Sequence, residues 1–482
     1  MTSAGVSDAV TSPPALSRGD RAVIGVLLVA TFVVILNETI MGVALPVLLT
    51  ELNVTAAVGQ WLTAGFLLTM SVVIPITGYL IQRVPTRVLF GVAMTLFSAG
   101  TLIAALAPGF TVLLAARVVQ AFGTAIMVPL LMTTVMTLVP PARRGAVMGN
   151  ISIVISVAPA IGPTVSGVVL DLFSWRAMFW VVLPFSVATL VLGLRWVTRI
   201  GESSTAPIDV LSVVLSVLGF GGLVYGLSNI GHSGSGSSAT LWLSLGVGVL
   251  GVTAFVLRQV SLQRRERALL DLRTFGFRMF TLASALMMVM MGLLLGVVTI
   301  LPIYMQNVIA LDPLATGLLL LPGGLLMGLL SPFVGRLYDR VGPRVLLIVG
   351  TIATSGSLWF ATTFDASTPA VMVLVFHLAL SLGLAFSFTP LFSSGLGALP
   401  ARLYSHGSAI FSTTQQLAAA AGVALLVSVM SARAAELASA GEPAVGAEMG
   451  GLHSAMLLAA VLSLVAVVGS FMVKGGKAES PV

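Results

Sequence analysis

Glu38 is a lone carboxylate in the long apolar run near residues 22–47. Hydrocarbon surroundings penalise the charged form of any carboxylate, because that form loses its hydration. A carboxylate there can load and release a proton near ambient pH. Ionisable groups in such surroundings are costly and usually face a cavity, so Glu38 is a candidate proton carrier. The alternatives are a permanently neutral Glu, or one wetted near a helix end. Arg117, in the apolar run near 111–138, is the matching cation. A guanidinium keeps its proton in proteins and must find carbonyls, water or a carboxylate. Gln120 follows one turn further along the same helical face and can orient it. Arg117 thus reads either as a charge that tunes proton transfer or as a brace between spans.

Other side chains fit a binding chamber. Asn37 precedes the acid, Gln120 is a further polar candidate, Phe32, Trp61 and Phe66 are aromatic candidates for a cavity wall, and His377 sits among apolar residues. A lone helical His serves packing as readily as substrate or proton contact. The run Met287, Met288, Met290 and Met291 covers more than one helical face. Flexible thioethers suit promiscuous apolar binding, and equally suit lipid contact or packing. Trp175, Trp180 and Trp242 read as interfacial anchors. The stretch Ala158-Pro159-Ala160-Ile161-Gly162-Pro163, continuing to Gly167, combines small residues that let helices approach closely with prolines that bend them. It reads as a close-packed, bent seam.

Enzyme chemistry lacks its parts. The chain has no Cys, hence no thiolate nucleophile or Cys-ligated metal. No Gly-Lys-Ser loop cradles a phosphate, and no catalytic set converges. The expectation is a non-enzyme with no cofactor and no metal.

The elements that must position these residues are membrane spans. Of 482 residues, 57% are hydrophobic and 8% charged, and the mean hydropathy is +1.10. A soluble domain carries about 25% charged residues, so lipid must cover most of this surface. A span needs roughly 20 apolar residues. That window places spans near 22–47, 59–81, 87–107, 111–138, 145–170, 176–197, 208–230 and 239–260. Six more follow near 278–306, 314–335, 344–364, 369–394, 406–431 and 452–473, fourteen in all. With the amino terminus inside, only Arg176 and Arg433 fall in outside segments and Arg117 lies within a span. The remaining basic residues, of 23, collect inside. This is the positive-inside asymmetry, which one missed span would destroy; both termini are expected in the cytoplasm. The net charge of +7 is spread over short loops, which argues against a nucleic-acid surface. The inside loop 258–278, with Arg264, Arg265 and Arg267, reads as a topological anchor at anionic headgroups. Residues 432–451 read as a polar outside loop, and the Gly/Ser run at 231–238 as an outside turn.

Two segments repeat. Gly78-Tyr79-Leu80-Ile81-Gln82-Arg83-Val84-Pro85-Thr86-Arg87 is echoed by Gly335-Arg336-Leu337-Tyr338-Asp339-Arg340-Val341-Gly342-Pro343-Arg344. Each joins the second and third spans of a six-span block. The second copy resembles the G-x-L-x-D-R-x-G-x-R loop of the major facilitator superfamily. Arg117 through Gly123 is similar to that family's R-x-x-Q-G-x-G element, with Ala121 for Gly. Gly149 through Gly167 resembles its antiporter motif, with Ala158 and Ser166 replacing glycines. Leu36 through Pro46 resembles the first-span signature of the fourteen-helix drug:proton antiporter branch, and its Asn37-Glu38-Thr39 form is similar to lincosamide exporters.

The resemblance implies an all-α integral membrane protein of the major facilitator fold. Its parts would be a cytoplasmic tail (1–20), a six-helix bundle (21–200), two extra central helices (201–265), a second bundle (266–474) and a cytoplasmic tail (475–482). It implies a proton-coupled exporter of lipophilic drugs or antibiotics in the cytoplasmic membrane, with a small-molecule substrate, protons and membrane lipid as partners, as a monomer. It implies proton coupling at Glu38 with Arg117 near the first helix, and gating at Gly78, Arg83, Arg87, Gly335, Asp339, Arg340, Gly342 and Arg344. Gln82 stands where the family carries Asp, which weakens a charge-based gate in the first copy and leaves it to Asp339. A dedicated metabolite exporter, a proton symporter and a lipid-handling protein are the other readings.

Overall fold

A computed structural model describes residues 16–198, 208–230 and 238–473 of the chain. The expected tail at 475–482, most of the amino-terminal tail and most of the Gly/Ser turn lie outside these residues, as do Arg199, His232, Lys474 and Lys477. Fourteen helices among the described residues are long and apolar enough to cross a membrane, and no strand occurs among them. They are α1 (Arg18–Glu51), α2 (Trp61–Arg83), α3 (Thr86–Ala105), α4 (Phe110–Leu138), α5 (Arg144–Leu172), α6 (Trp175–Trp196), α7 (Val210–Asn229) and α8 (Ser238–Gln263). Then follow α9 (Arg278–Ile303), α10 (Pro313–Val341), α11 (Pro343–Ala361), α12 (Ala370–Gly397), α13 (Tyr404–Ser439) and α14 (Ala444–Phe471).

Two departures from the expected spans have physical reasons. The stretch 432–451 is not a loop, because α13 runs to Ser439 and α14 starts at Ala444. Ala and Glu dominate it and both favour helix, so the hairpin continues past the hydrocarbon. With 36 residues, α13 is about 54 Å long at 1.5 Å per residue, well beyond a core of about 30 Å. Likewise α10 continues to Val341, which puts Gly335 and Asp339 on a helix. Gly342, at φ +77°, ends α10 in a conformation that favours glycine, and Pro343 opens α11 as its first residue.

The first and second blocks meet where α5 packs on α10 and α12, and where α2 and α4 pack on α13. The α7–α8 pair packs backbone to backbone: a Cβ on Gly222 would lie 2.9 Å from the Gly248 amide nitrogen. Ser216 on α7 donates to the Val72 carbonyl of α2 at 3.2 Å. Asp209, just before α7, accepts from Arg258 of α8 at 2.8 and 3.2 Å. Arg258 foremost, then the Ser212 hydroxyl and amide, hold Asp209 down at about 2 against the opposing effect of burial.

Trp175 is fully buried and Trp180 and Trp242 are exposed, so Trp175 does not take the interfacial position expected of it. It packs edge-on to Phe179 and stacks beneath Arg176.

Candidate functional site

A cavity of about 320 Å³ lies between the two blocks, midway along the spans. Glu38 and Thr39 of α1, Met70 and Ile74 of α2, and Pro159 of α5 line one side. Met291 and Leu294 of α9, Phe388 and Phe392 of α12, and Gln415 and Gln416 of α13 line the other. Glu38 is the only ionisable residue in this lining, and it makes no hydrogen bond or ion pair among the described residues. The walls are otherwise apolar apart from a few hydroxyls and the two amides. Ser156 and Ser412 line the cavity with buried hydroxyls that have no hydrogen-bond partner among the described residues. The Gln415 amide nitrogen donates to the Phe411 carbonyl at 3.3 Å.

The segment that carries Glu38 is held from behind. A Cβ on Gly162 would strike Thr39, so glycine allows α5 to seat against α1 one residue past the acid. One turn later Ser166 donates to the Ile40 carbonyl at 3.0 Å. Ala158 is buried, and no side chain or backbone lies within 4 Å of where a Gly167 Cβ would be. Pro159 and Pro163 both lie within α5. On its other face α5 meets α10, with Gly324 against Ala160 and Gly328 against Val157. The helix therefore forms a seam with both blocks.

Arg117 is fully buried, yet outside the cavity lining. Its Nη1 donates to Gln120 Oε1 at 3.0 Å and its Nε reaches the Leu62 carbonyl at 3.5 Å. The Phe66 ring lies 4.0 Å beneath its guanidinium. Gln120 in turn donates to Thr101 of α3 at 2.9 Å, so it links Arg117 to α3 and does not line the chamber as expected of it. No ion pair joins Arg117 to Glu38 among the described residues. The arginine is clamped among α2, α3 and α4, behind the wall that holds the acid.

Several expected cavity residues lie elsewhere. Asn37 is buried with its amide nitrogen unpartnered among the described residues, on the side of α1 away from the cavity. Phe32 is half-buried and outside the lining. Trp61 is 40% exposed and stacks on Tyr225 of α7 at 5.7 Å. Phe66 serves Arg117 instead of the chamber. His377 is buried against Gly323, its Nε2 3.0 Å from the Leu320 carbonyl, so it ties α12 to α10. Each lies on a face of its helix, or at a depth along it, that misses the chamber, which the residue type alone does not reveal. The aromatics of the chamber are Phe388 and Phe392, and its amides on α13 are Gln415 and Gln416. A pair of amides inside an apolar span was the signal that could have marked them.

The end of the bundle that carries the α2–α3 and α10–α11 turns, here called the gate end, is closed. Asp339 accepts from the Gly145 amide at 2.8 Å and the Ala146 amide at 2.9 Å, capping α5 from the opposite block. A Cβ on Gly145 or Gly335 would drive into the other helix's backbone. Arg144 holds α4's end through the Met136 and Val139 carbonyls and faces the Tyr404 ring. In the first copy, Gln82 donates to the Arg402 carbonyl at 2.8 Å, and a Cβ on Gly78 would lie 3.2 Å from the buried His406 and Ala409 of α13. Arg83 stacks over Tyr79 at 3.6 Å, and Arg87, Arg340 and Arg344 are exposed.

The model of the Major Facilitator Superfamily matches residues 27–423. The MFS-type transporter YcnB of Bacillus subtilis, itself uncharacterized, is 43% identical over 453 residues, 94% of each chain. The lincomycin resistance protein LmrB of the same organism is 41% identical over 460 residues, 94% of this chain and 95% of that one. The human organic anion transporter MFSD10 (TETRAN) superposes with a TM-score of 0.66 at 14% identity, over 95% of this chain and 100% of that one. At that identity the likeness speaks to the fold.

Proposed function

The chain belongs to the Major Facilitator Superfamily, a family of transporters, and from that premise we propose that it exports lipophilic drugs or antibiotics across the cytoplasmic membrane in exchange for protons. One observation carries the reading: the cavity between the blocks is apolar, and its single ionisable side chain is Glu38. Apolar walls discriminate weakly among cargoes, which suits an exporter of several compounds. The kinship to a lincomycin resistance protein supports the same cargo class.

The cycle follows from competition for one acid. With the gate end in the cytoplasm, as the basic loops support, the closed gate leaves the chamber turned away from it. Protonation of Glu38 from outside removes the charge that holds a polar or cationic cargo, and the cargo leaves. A neutral Glu38 crosses the apolar chamber cheaply as the blocks rock, and proton loss to the cytoplasm readies the site again. Cargo and proton each bias the two states, as exchange requires. Arg117 lies outside the chamber lining, where it braces α2, α3 and α4.

Lincomycin uptake into everted vesicles with an acidified lumen tests this directly. Uptake should collapse with a protonophore and in Glu38→Gln, while lincomycin binding to that variant persists. Undiminished gradient-driven uptake by Glu38→Gln would remove the acid from the mechanism. Uptake confined to right-side-out vesicles would make the protein an importer.

A further inference from the structure

A second cavity, of about 270 Å³, opens at the end opposite the gate, between α9, α13 and α14. Ile303, Met430 and Leu452 give it apolar walls, and Tyr304, Ser431 and Glu448 complete it. Tyr304 also begins a π turn, Tyr304–Val308, at the end of α9, a distortion found frequently at functional sites. Its hydroxyl is committed to the Asp365 carbonyl at 2.8 Å and its ring stacks on Phe364, so this wall is rigid. Glu448 has no ion pair among the described residues. Its one hydrogen bond, from the Asn307 amide, is long at 3.4 Å. A carboxylate set in an apolar wall selects a cation whose body is apolar.

The cavity shares helices with the central one but no residue. From Gln416 to Met430 along α13 is about 21 Å at 1.5 Å per residue. Between them Gly296 of α9 meets α13 so closely that a Cβ would lie 2.8 Å from the Gly422 carbonyl and 2.7 Å from Leu426. The contact closes the passage. The extended α13–α14 hairpin puts Glu448 within two turns of the start of α14, near the membrane surface where amphiphiles partition.

We propose that this cavity is a second binding site, for a lipophilic organic monocation, with Glu448 as its counter-charge and Met430 and Leu452 as its apolar seat. The site stands apart from the central acid and does not depend on export.

A fluorescence titration of the full chain in nanodiscs with a dimethylaminostyryl-methylpyridinium dye tests it, beside the uncharged styrylpyridine analogue. Wild type should show two saturable phases for the cation. Glu448→Gln should weaken one phase by roughly tenfold or more, Glu448→Asp should retain it, and Met430→Trp should abolish it by filling the cavity while the acid stays intact. The neutral analogue should bind wild type and Glu448→Gln alike. Glu38→Gln should affect only the other phase, so failure of the proton-exchange reading leaves this result standing. Unchanged cation binding in both Glu448→Gln and Met430→Trp would overturn the proposal, as would equal loss of the neutral analogue.

Discussion

At the α10–α11 turn, Asp339 spreads both carboxylate oxygens over two backbone amides of α5. At the α2–α3 turn, the residue in its place, Gln82, gives a single amide hydrogen to the Arg402 carbonyl before α13. The glycines four residues earlier differ in the same sense. Gly335 meets Gly145 backbone to backbone, so an added Cβ would clash, whereas a Cβ on Gly78 would lie 3.2 to 3.3 Å from His406 and Ala409, a tight fit that needs only a slight shift. One sequence motif, used twice, thus builds a rigid charged latch on one side and a looser neutral one on the other. A duplicated fold does not require duplicated energetics. The seal of the gate end rests mainly on the α5–α10 contact.

The chain has no cysteine, so Ser331→Cys, at a fully buried position against Gly149, reports opening of that contact by its labelling rate. The largest expected effect is Gly335→Ala. The added methyl has no room and forces a shift that typically costs about 1–3 kcal/mol or more, so labelling should rise roughly ten- to a hundredfold and transport should fall with it. Gly78→Ala should change both by less than about twofold, because its neighbours need to yield only slightly. Equal effects from the two alanines would break the comparison.

Asp339→Asn ranks next. It removes a charged acceptor from two amides, and hydrogen bonds to charged groups are worth about 1.5–3 kcal/mol. Labelling at the reporter should rise by about tenfold or more. Gln82→Ala removes one neutral, solvent-accessible bond worth about 0.5–1.5 kcal/mol, so a severalfold change is the most it should produce. A larger response from Gln82 than from Asp339 would reverse the assignment of the main seal.

The smallest effect concerns α7 and α8, which lie outside both latches. Asp209 is held down at about 2, below its ordinary value, so its pairing with Arg258 stabilises the folded state above the unfolded value and is lost only as pH falls toward 2. Between pH 5 and 8 the Tm of Asp209→Asn should run parallel to that of wild type. A gap that opens with pH inside that window would contradict the pairing as the cause.

Much of this was legible in the sequence, for reasons of contrast. Each span stands out because apolar runs alternate with basic loops, and Glu38 stands out because it is acidic among apolar neighbours. Arg117 and Gln120 were legible as a pair from one-turn spacing. The chamber's far wall was not. Met327, Phe388 and Phe392 are apolar residues in apolar spans, and lipid-facing and cavity-facing positions share that composition. For the same reason Phe32, Trp61 and Phe66 looked suitable for a chamber they do not line. The 432–451 stretch misled because polar residues mark the end of the hydrocarbon, whereas the helix itself continues into water. His406 shows the mirror case: a polar residue near a turn, it is nonetheless buried beside Gly78.

Proton release on cargo binding tests the central claim most directly. Lincomycin added to the purified chain in weakly buffered nanodiscs near neutral pH should displace protons from wild type and none from Glu38→Gln, with both still binding the drug. Equal proton release from the two proteins would contradict Glu38 as the group over which proton and cargo compete.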